Sequence, residues 1–152
     1  MNRTSLVECD EQTLEEGEFA FRRKRLAAAA GGKGLGVSWF ELQPGKKSFP
    51  FHFHLANDEA VFILDGEGVL RLGDSEHPLR AGDYVAFNPG PPGHQIINRS
   101  TGPLRFLAIS TMKEPEVAIY PDSKKVGVLG RSHGVMSVHR QGDSVDYYLD
   151  EK

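Results

Sequence analysis

Residues 45–66 read GKKSFPFHFHLANDEAVFILDG, and the heart of this stretch is Phe51-His52-Phe53-His54. On an extended strand alternate side chains point the same way, so His52 and His54 project together while Phe51 and Phe53 face the opposite side. Two imidazoles of like orientation, about 7 Å apart along a strand, can chelate one metal ion. Leu55-Ala56-Asn57-Asp58 reads as a bend, and Glu59 follows it, opening the strand Ala60–Leu64. Strand parity alone would turn Glu59 away from His52; the bend at Asn57-Asp58 lets the face reset. The residues themselves leave Asp58 and Glu59 both open as the carboxylate partner.

Downstream, GDYVAFNPGPPGHQIIN (82–98) places His94 at the start of a strand, just after a proline-stiffened turn. His94, Ile96 and Asn98 share one face of that strand. Three imidazoles and a carboxylate suit a borderline divalent transition metal such as Mn, Fe, Ni, Cu or Zn. His77, His133 and His139 lack comparable company and read as structural.

Working outward, turn dipeptides recur at short intervals: Pro44-Gly45, Asn57-Asp58, Asp65-Gly66, Gly73-Asp74, Gly82-Asp83 and Pro89-Gly90. Between them lie AVFIL, VLRL, YVAF, HQIIN and LRFLAIS. Short strands at this spacing predict an antiparallel sandwich or barrel, and no helix-length periodic window interrupts them. The fold class is therefore all-β. Upstream, residues 1–17 read as a polar lead-in and Gly17–Leu26 as an edge strand with Phe19 and Phe21 on one face. AAAAGGKG (27–34) is a connector of small residues, either a helical turn or a loop, and Gly36–Leu42 is a strand. Beyond Met112 the apolar runs thin out and Pro115 and Pro121 intervene, which predicts an extended C-terminal arm packed over the barrel or over a partner subunit.

The chain has 152 residues, 39% of them apolar, with 17 glycines, which is the size and composition of one domain with a real core. Eighteen basic and 21 acidic residues give a net charge of −3 with the signs mixed, so no nucleic-acid footprint is expected. The cluster Arg22-Arg23-Lys24-Arg25 reads as a solvated strand end. No apolar run approaches a membrane span, and the N-terminus has no apolar stretch of a secretory signal. One cysteine, Cys9, excludes an internal disulfide and a Cys-based zinc cluster. A cytoplasmic protein is the expectation.

These motifs resemble those of the cupin superfamily. Its first motif runs Gly, about five residues, His-x-His, three or four residues, Glu, six residues, Gly. Gly45, His52, His54, Glu59 and Gly66 match it, with one extra residue after Gly45. The second motif is met by Gly82, Pro89, His94 and Asn98, with six residues before Pro89 and Pro91 where the motif has a glycine. Neither departure removes a ligand. The resemblance covers roughly residues 35–112 and implies a double-stranded β-helix, or jelly-roll-like barrel, with extended N- and C-terminal arms (1–34 and 113–152) in a single domain, 1–152. It implies that His52, His54, Glu59 and His94 bind one divalent transition metal inside the barrel, which settles the carboxylate as Glu59. The tail around Tyr120-Pro121-Asp122-Ser123 and Lys125-Val126-Gly127-Val128 is similar to small bacterial single-domain cupins of a sugar-phosphate-isomerase-like group.

Three functions follow from this as expectations. The first is a metal-dependent enzyme acting on a small oxygenated metabolite, with aldose–ketose isomerisation its sharpest form. That chemistry needs a base besides the ligands, for which Tyr84, Glu41 and His77 are the nearest in sequence, and a phosphate would want Lys46, Lys47, Arg71 or Arg105. The second is a dioxygenase or decarboxylase-like cupin. The third is a non-catalytic module that binds a small molecule. Because exposed strand edges are commonly covered, a homodimer is expected.

Overall fold

The computed structural model describes residues 2–152. In chain order its strands are β1 (Glu11–Glu16), β2 (Phe19–Lys24), β3 (Leu35–Leu42), β4 (Phe53–His54), β5 (Glu59–Asp65), β6 (Glu67–Leu72) and β7 (Ser75–Arg80). They continue with β8 (Tyr84–Phe87), β9 (His94–Ile97), β10 (Leu104–Thr111), β11 (Glu116–Tyr120), β12 (Lys125–Gly130) and β13 (Val135–Arg140). A single helical turn, α1 (Leu26–Ala29), fills the small-residue connector. Among the described residues no helix is long and apolar enough to cross a membrane.

One wall of the molecule is a six-stranded sheet in the order β1-β2-β3-β10-β5-β8. The other is built from two shorter sheets, β13-β12-β11-β4 and β7-β6-β9, joined where His52 and His94 form an antiparallel bridge. All of these named strand pairs are antiparallel, and the architecture is a double-stranded β-helix. The apolar alternation legible in the sequence is what closes it. Val61 and Ile63 point inward from β5, Phe40 and Leu42 from β3, Leu104 and Phe106 from β10. Leu70, Leu79 and Ile96 meet them from the opposite wall. At one end Phe40 stacks on Phe106 with ring centroids 5.3 Å apart, and Phe21 and Phe49 pack around Phe40 at 5.2 and 5.5 Å. Such aromatic pairs add about 0.5–1.5 kcal/mol each beyond the area they bury.

The structure departs from the sequence expectation in three places. The polar lead-in contains a strand, β1, which takes the sheet edge and leaves β2 inside it. EQTLEE has no apolar alternation, and its residues are all exposed; it pairs with β2 through polar contacts, Arg22 to Glu11 at 2.8 and 2.9 Å and Arg23 to Gln12 at 2.7 Å. The segment SEHPLR forms β7 despite Pro78, which is tolerated because β7 is itself an edge strand. The third departure concerns the C-terminal arm. Up to Arg140 the arm is not merely packed over the barrel but forms a β11-β12-β13 meander that pairs with β4 and completes the second wall.

Candidate metal centre

The Phe51–His54 segment is held from both sides. His52 and His94 exchange both backbone hydrogen bonds, His94 N–H to His52 C=O at 2.8 Å and His52 N–H to His94 C=O at 3.2 Å. Gly93 permits this approach: a Cβ there would lie 2.8 Å from the Phe51 ring. On the other side β11 pairs with β4, setting Ala118 opposite His54. Leu55 to Asp58 then carry the chain from this wall to the facing one, where β5 begins. The bend therefore does more than reset a strand face. It delivers Glu59 from the opposite wall, on the inward side it shares with Val61 and Ile63.

Three imidazoles meet that carboxylate. The Nε2 atom of His94 lies 3.2 Å from Glu59 Oε2, that of His54 lies 3.4 Å from Oε1, and that of His52 lies 4.0 Å from Oε2. Donor atoms of His52, His54 and Glu59 all lie within 4.8 Å of one another, a spacing one ion can bridge. His94 stands at the edge of this group, touching it through Glu59, its ring stacked face to face on Phe87 at 3.8 Å. The structure brings His52, His54 and Glu59 together with His94 beside them, and three nitrogen donors with one carboxylate suit a divalent transition metal.

The outer nitrogens differ in their surroundings. His52 Nδ1 is 2.8 Å from the Pro50 carbonyl oxygen, while Nδ1 of His54 and of His94 are buried and find no hydrogen-bond partner among the described residues. Burial, together with the nearby His94, pushes the His52 imidazole down to about 4 from an ordinary value of 6.5, so it is neutral at pH 7 with a lone pair free. Burial opposes the charge on Glu59, but the His94 hydrogen bond and the surrounding histidines outweigh it and hold the carboxyl below its ordinary value.

A pH dependence follows. The unfolded chain protonates His52 near 6.5 and the folded chain only near 4, so between these values the unfolded state binds the extra proton. Stability is full above about pH 6.5 and falls toward pH 4, by on the order of 3 kcal/mol from this histidine. Glu59 adds to the loss at still lower pH, as its depressed carboxyl is finally protonated. Calorimetry of chelator-treated protein is expected to show Tm dropping steadily from pH 7 to pH 4.5; a flat profile would contradict the buried neutral His52.

The weaker sequence candidates are placed elsewhere. Glu41 is buried, but it is locked between Arg105 at 2.7 Å and Arg22 at 2.9 Å. Tyr84 points out from β8, the side opposite to Phe87, and His77 is exposed on β7. None of the three joins the cluster. Asp58 faces outward in an ion pair with Lys113 at 3.0 Å, which leaves the carboxylate position to Glu59. Of the possible phosphate cations, Lys47 pairs with Glu18, Arg71 with Asp122 and Arg105 with Glu41 and Asp65, while Lys46 bonds the Gly17 carbonyl oxygen. His133 and His139 are exposed on the C-terminal meander.

Two residues at the centre escape the sequence reading. Tyr120, at the end of β11, lies nearly parallel to the His52 ring at 5.9 Å. Burial, helped by the Glu59 charge, raises its phenol, so it keeps its proton. Glu116, at the start of the same strand, is only 2% exposed and places Oε2 3.5 Å from His54 Nδ1. A charged residue in an arm of mixed polarity reads as solvated, and nothing in its spacing marks it as interior.

Comparison with known proteins bears on the family and the fold. The Cupin domain family matches residues 38–110. An oxalate-binding protein of Thermotoga maritima is 38% identical over 69 residues, 45% of this chain and 55% of that protein. The chain spans about half or less of the curated relatives it matches. A crystal structure from Acidithiobacillus ferrooxidans superposes with a TM-score of 0.86 over 95% of this chain and 96% of its own, at 24% identity, which speaks for the fold alone. The sugar phosphate isomerase from a cupin superfamily of Silicibacter pomeroyi is 30% identical, with a TM-score of 0.83 over 95% of this chain and 97% of its own. Similar along nearly the full length of that relative, and matched through the barrel by the Cupin domain family, the chain belongs to the cupin superfamily.

Proposed function

We propose that this chain is a metal-dependent cupin that acts on a small oxygenated metabolite, with isomerase-like proton transfer as its sharpest form. The observation that carries the reading is the convergence of three imidazole Nε2 atoms on the one carboxylate of Glu59. His52, His54, Glu59 and His94 would hold one divalent transition metal, Mn, Fe, Ni or Zn. Such an ion, when bound, supplies Lewis acidity toward a carbonyl or hydroxyl oxygen.

The chain's own residues supply the ligands and one proton donor. His52 offers an unprotonated nitrogen at neutral pH, and Phe87 fixes the plane of His94. Tyr120 keeps its phenol proton beside His52 and is the available hydrogen-bond donor to a substrate oxygen. The cations a phosphate would need already have partners, which favours a substrate recognised through hydroxyl, carbonyl or carboxylate oxygens. The 38% identical relative, named for oxalate binding, supports a second reading, a small acid held without turnover.

Co2+-loaded protein tests these readings together. A hydroxyaldehyde that perturbs the Co2+ absorption band and gains deuterium beside its carbonyl in D2O supports isomerase-like chemistry. Oxalate that perturbs the band unchanged supports the binding module, and oxalate that yields CO2 supports the decarboxylase. Consumption of O2 would point to the dioxygenase reading. A band that neither compound perturbs would contradict the proposed site of action.

A further inference from the structure

The carboxylate of Glu116 collects an unusual set of donors. Its Oε1 accepts backbone N–H bonds from Leu55 and Ala56 at 3.1 Å and from Val117 at 2.7 Å. Its Oε2 accepts the Asn57 backbone N–H at 2.9 Å and the Asn57 side-chain amide. Asn57 in turn accepts from Thr111 Oγ1 at 3.0 Å and from the Lys113 backbone at 2.8 Å, so the bend is tied to the end of β10. Among the described residues no lysine or arginine pairs with Glu116. A buried carboxylate is costly unless such bonds satisfy it. This one directs its charge at three of the four residues that separate His54 from Glu59, and among the described residues the imidazole it faces is that of His54.

We propose that Glu116 is a positioning residue of the metal centre: it folds the Leu55–Asn57 bend that brings Glu59 across to the histidines, and it stands behind His54 as the acceptor for Nδ1–H. This rests on the metal-binding reading above. With Nε2 of His54 turned toward Glu59, Nδ1 is the nitrogen that bears the proton whenever Nε2 holds an ion, and a carboxylate behind a ligating histidine fixes its ring and raises its basicity. The three histidines are thus backed unequally: a carbonyl oxygen 2.8 Å from His52 Nδ1, a carboxylate 3.5 Å from His54 Nδ1 with no hydrogen bond formed to it, and among the described residues no hydrogen-bond partner for the outer nitrogen of His94. The C-terminal arm becomes part of the site through this one side chain.

Co2+ titration by calorimetry, with the absorption spectrum of the complex, tests the proposal on the wild-type chain, Glu116→Gln and Leu129→Ala. Leu129 lies across from Glu116 on β12 and serves as a control that loosens the same sheet without touching the carboxylate. The expected result is a Kd about 10- to 100-fold weaker for Glu116→Gln with an altered Co2+ band, while Leu129→Ala stays within about threefold with an unchanged band. Equal affinity for wild type and Glu116→Gln, or equal weakening in both variants, would overturn it. Should Glu116→Gln fail to fold, Glu116→Asp keeps the charge but withdraws it from the bend. A several-fold weaker Kd is expected there, and an unchanged one counts against the role. If the wild-type chain itself binds no Co2+, the metal reading fails first and this proposal with it, a result distinct from binding that ignores Glu116.

Discussion

Glu59→Gln is expected to weaken divalent-metal binding by more than about a hundredfold, beyond the 10- to 100-fold typical of residues that only support a ligand. Glu59 is the one anionic member of the proposed ligand set, and it is the member that all three Nε2 atoms face. Glutamine keeps the shape and one carbonyl oxygen but replaces the other carboxylate oxygen with an NH2 group that cannot ligate, and removes the charge opposing a dication. The fold is expected to survive, because Glu59 sits at the start of β5 and the inward anchors of that strand are Val61 and Ile63. Calorimetric titration with Mn2+ or Co2+ reads the difference, and a Kd within threefold of wild type would mean that the carboxylate is not a ligand.

The second large effect lies in the barrel. Phe106→Ala is expected to cost about 3–5 kcal/mol of folding stability. Phe106 is 1% exposed, stacked on Phe40, in the strand that joins β3 to β5. Phe62→Ala on the neighbouring strand provides the contrast. Its ring points outward and is 36% exposed, so the loss there should stay near or below about 1 kcal/mol. Urea denaturation of both variants checks the pair. Similar losses would contradict the assignment of inner and outer faces.

How much of this was legible in the chain depends on which physics wrote the pattern. Alternation of large apolar residues marks β5, β8 and β10, because each buries one face more deeply than the other, while β9 and the end of β3 are buried on both. The His-x-His pair was legible for the same reason, since two polar residues at strand spacing in an apolar run must share a side. The crossing from wall to wall was not. Parity shows only that Glu59 has the wrong phase relative to His52, and either a local twist or a change of sheet repairs it. Strands β1 and β7 were hidden because edges need little apolar area; one is held by arginine contacts and the other contains a proline. Glu116 was hidden for a sharper reason. In EVAIY its inward partner is the small Ala118, while the larger Val117 and Ile119 are only half-buried, so the polarity pattern points the wrong way. A carboxylate neutralised by backbone N–H groups leaves no trace in composition.

The central claim is that His52, His54, Glu59 and His94 form one metal site. Plasma mass spectrometry of untagged protein, purified without added metal, tests it most directly, with His94→Ala alongside. The account predicts about one transition-metal ion per wild-type chain and loss of that ion in the variant. A wild-type chain that retains no Mn, Fe, Ni or Zn, even after incubation with each, would contradict it.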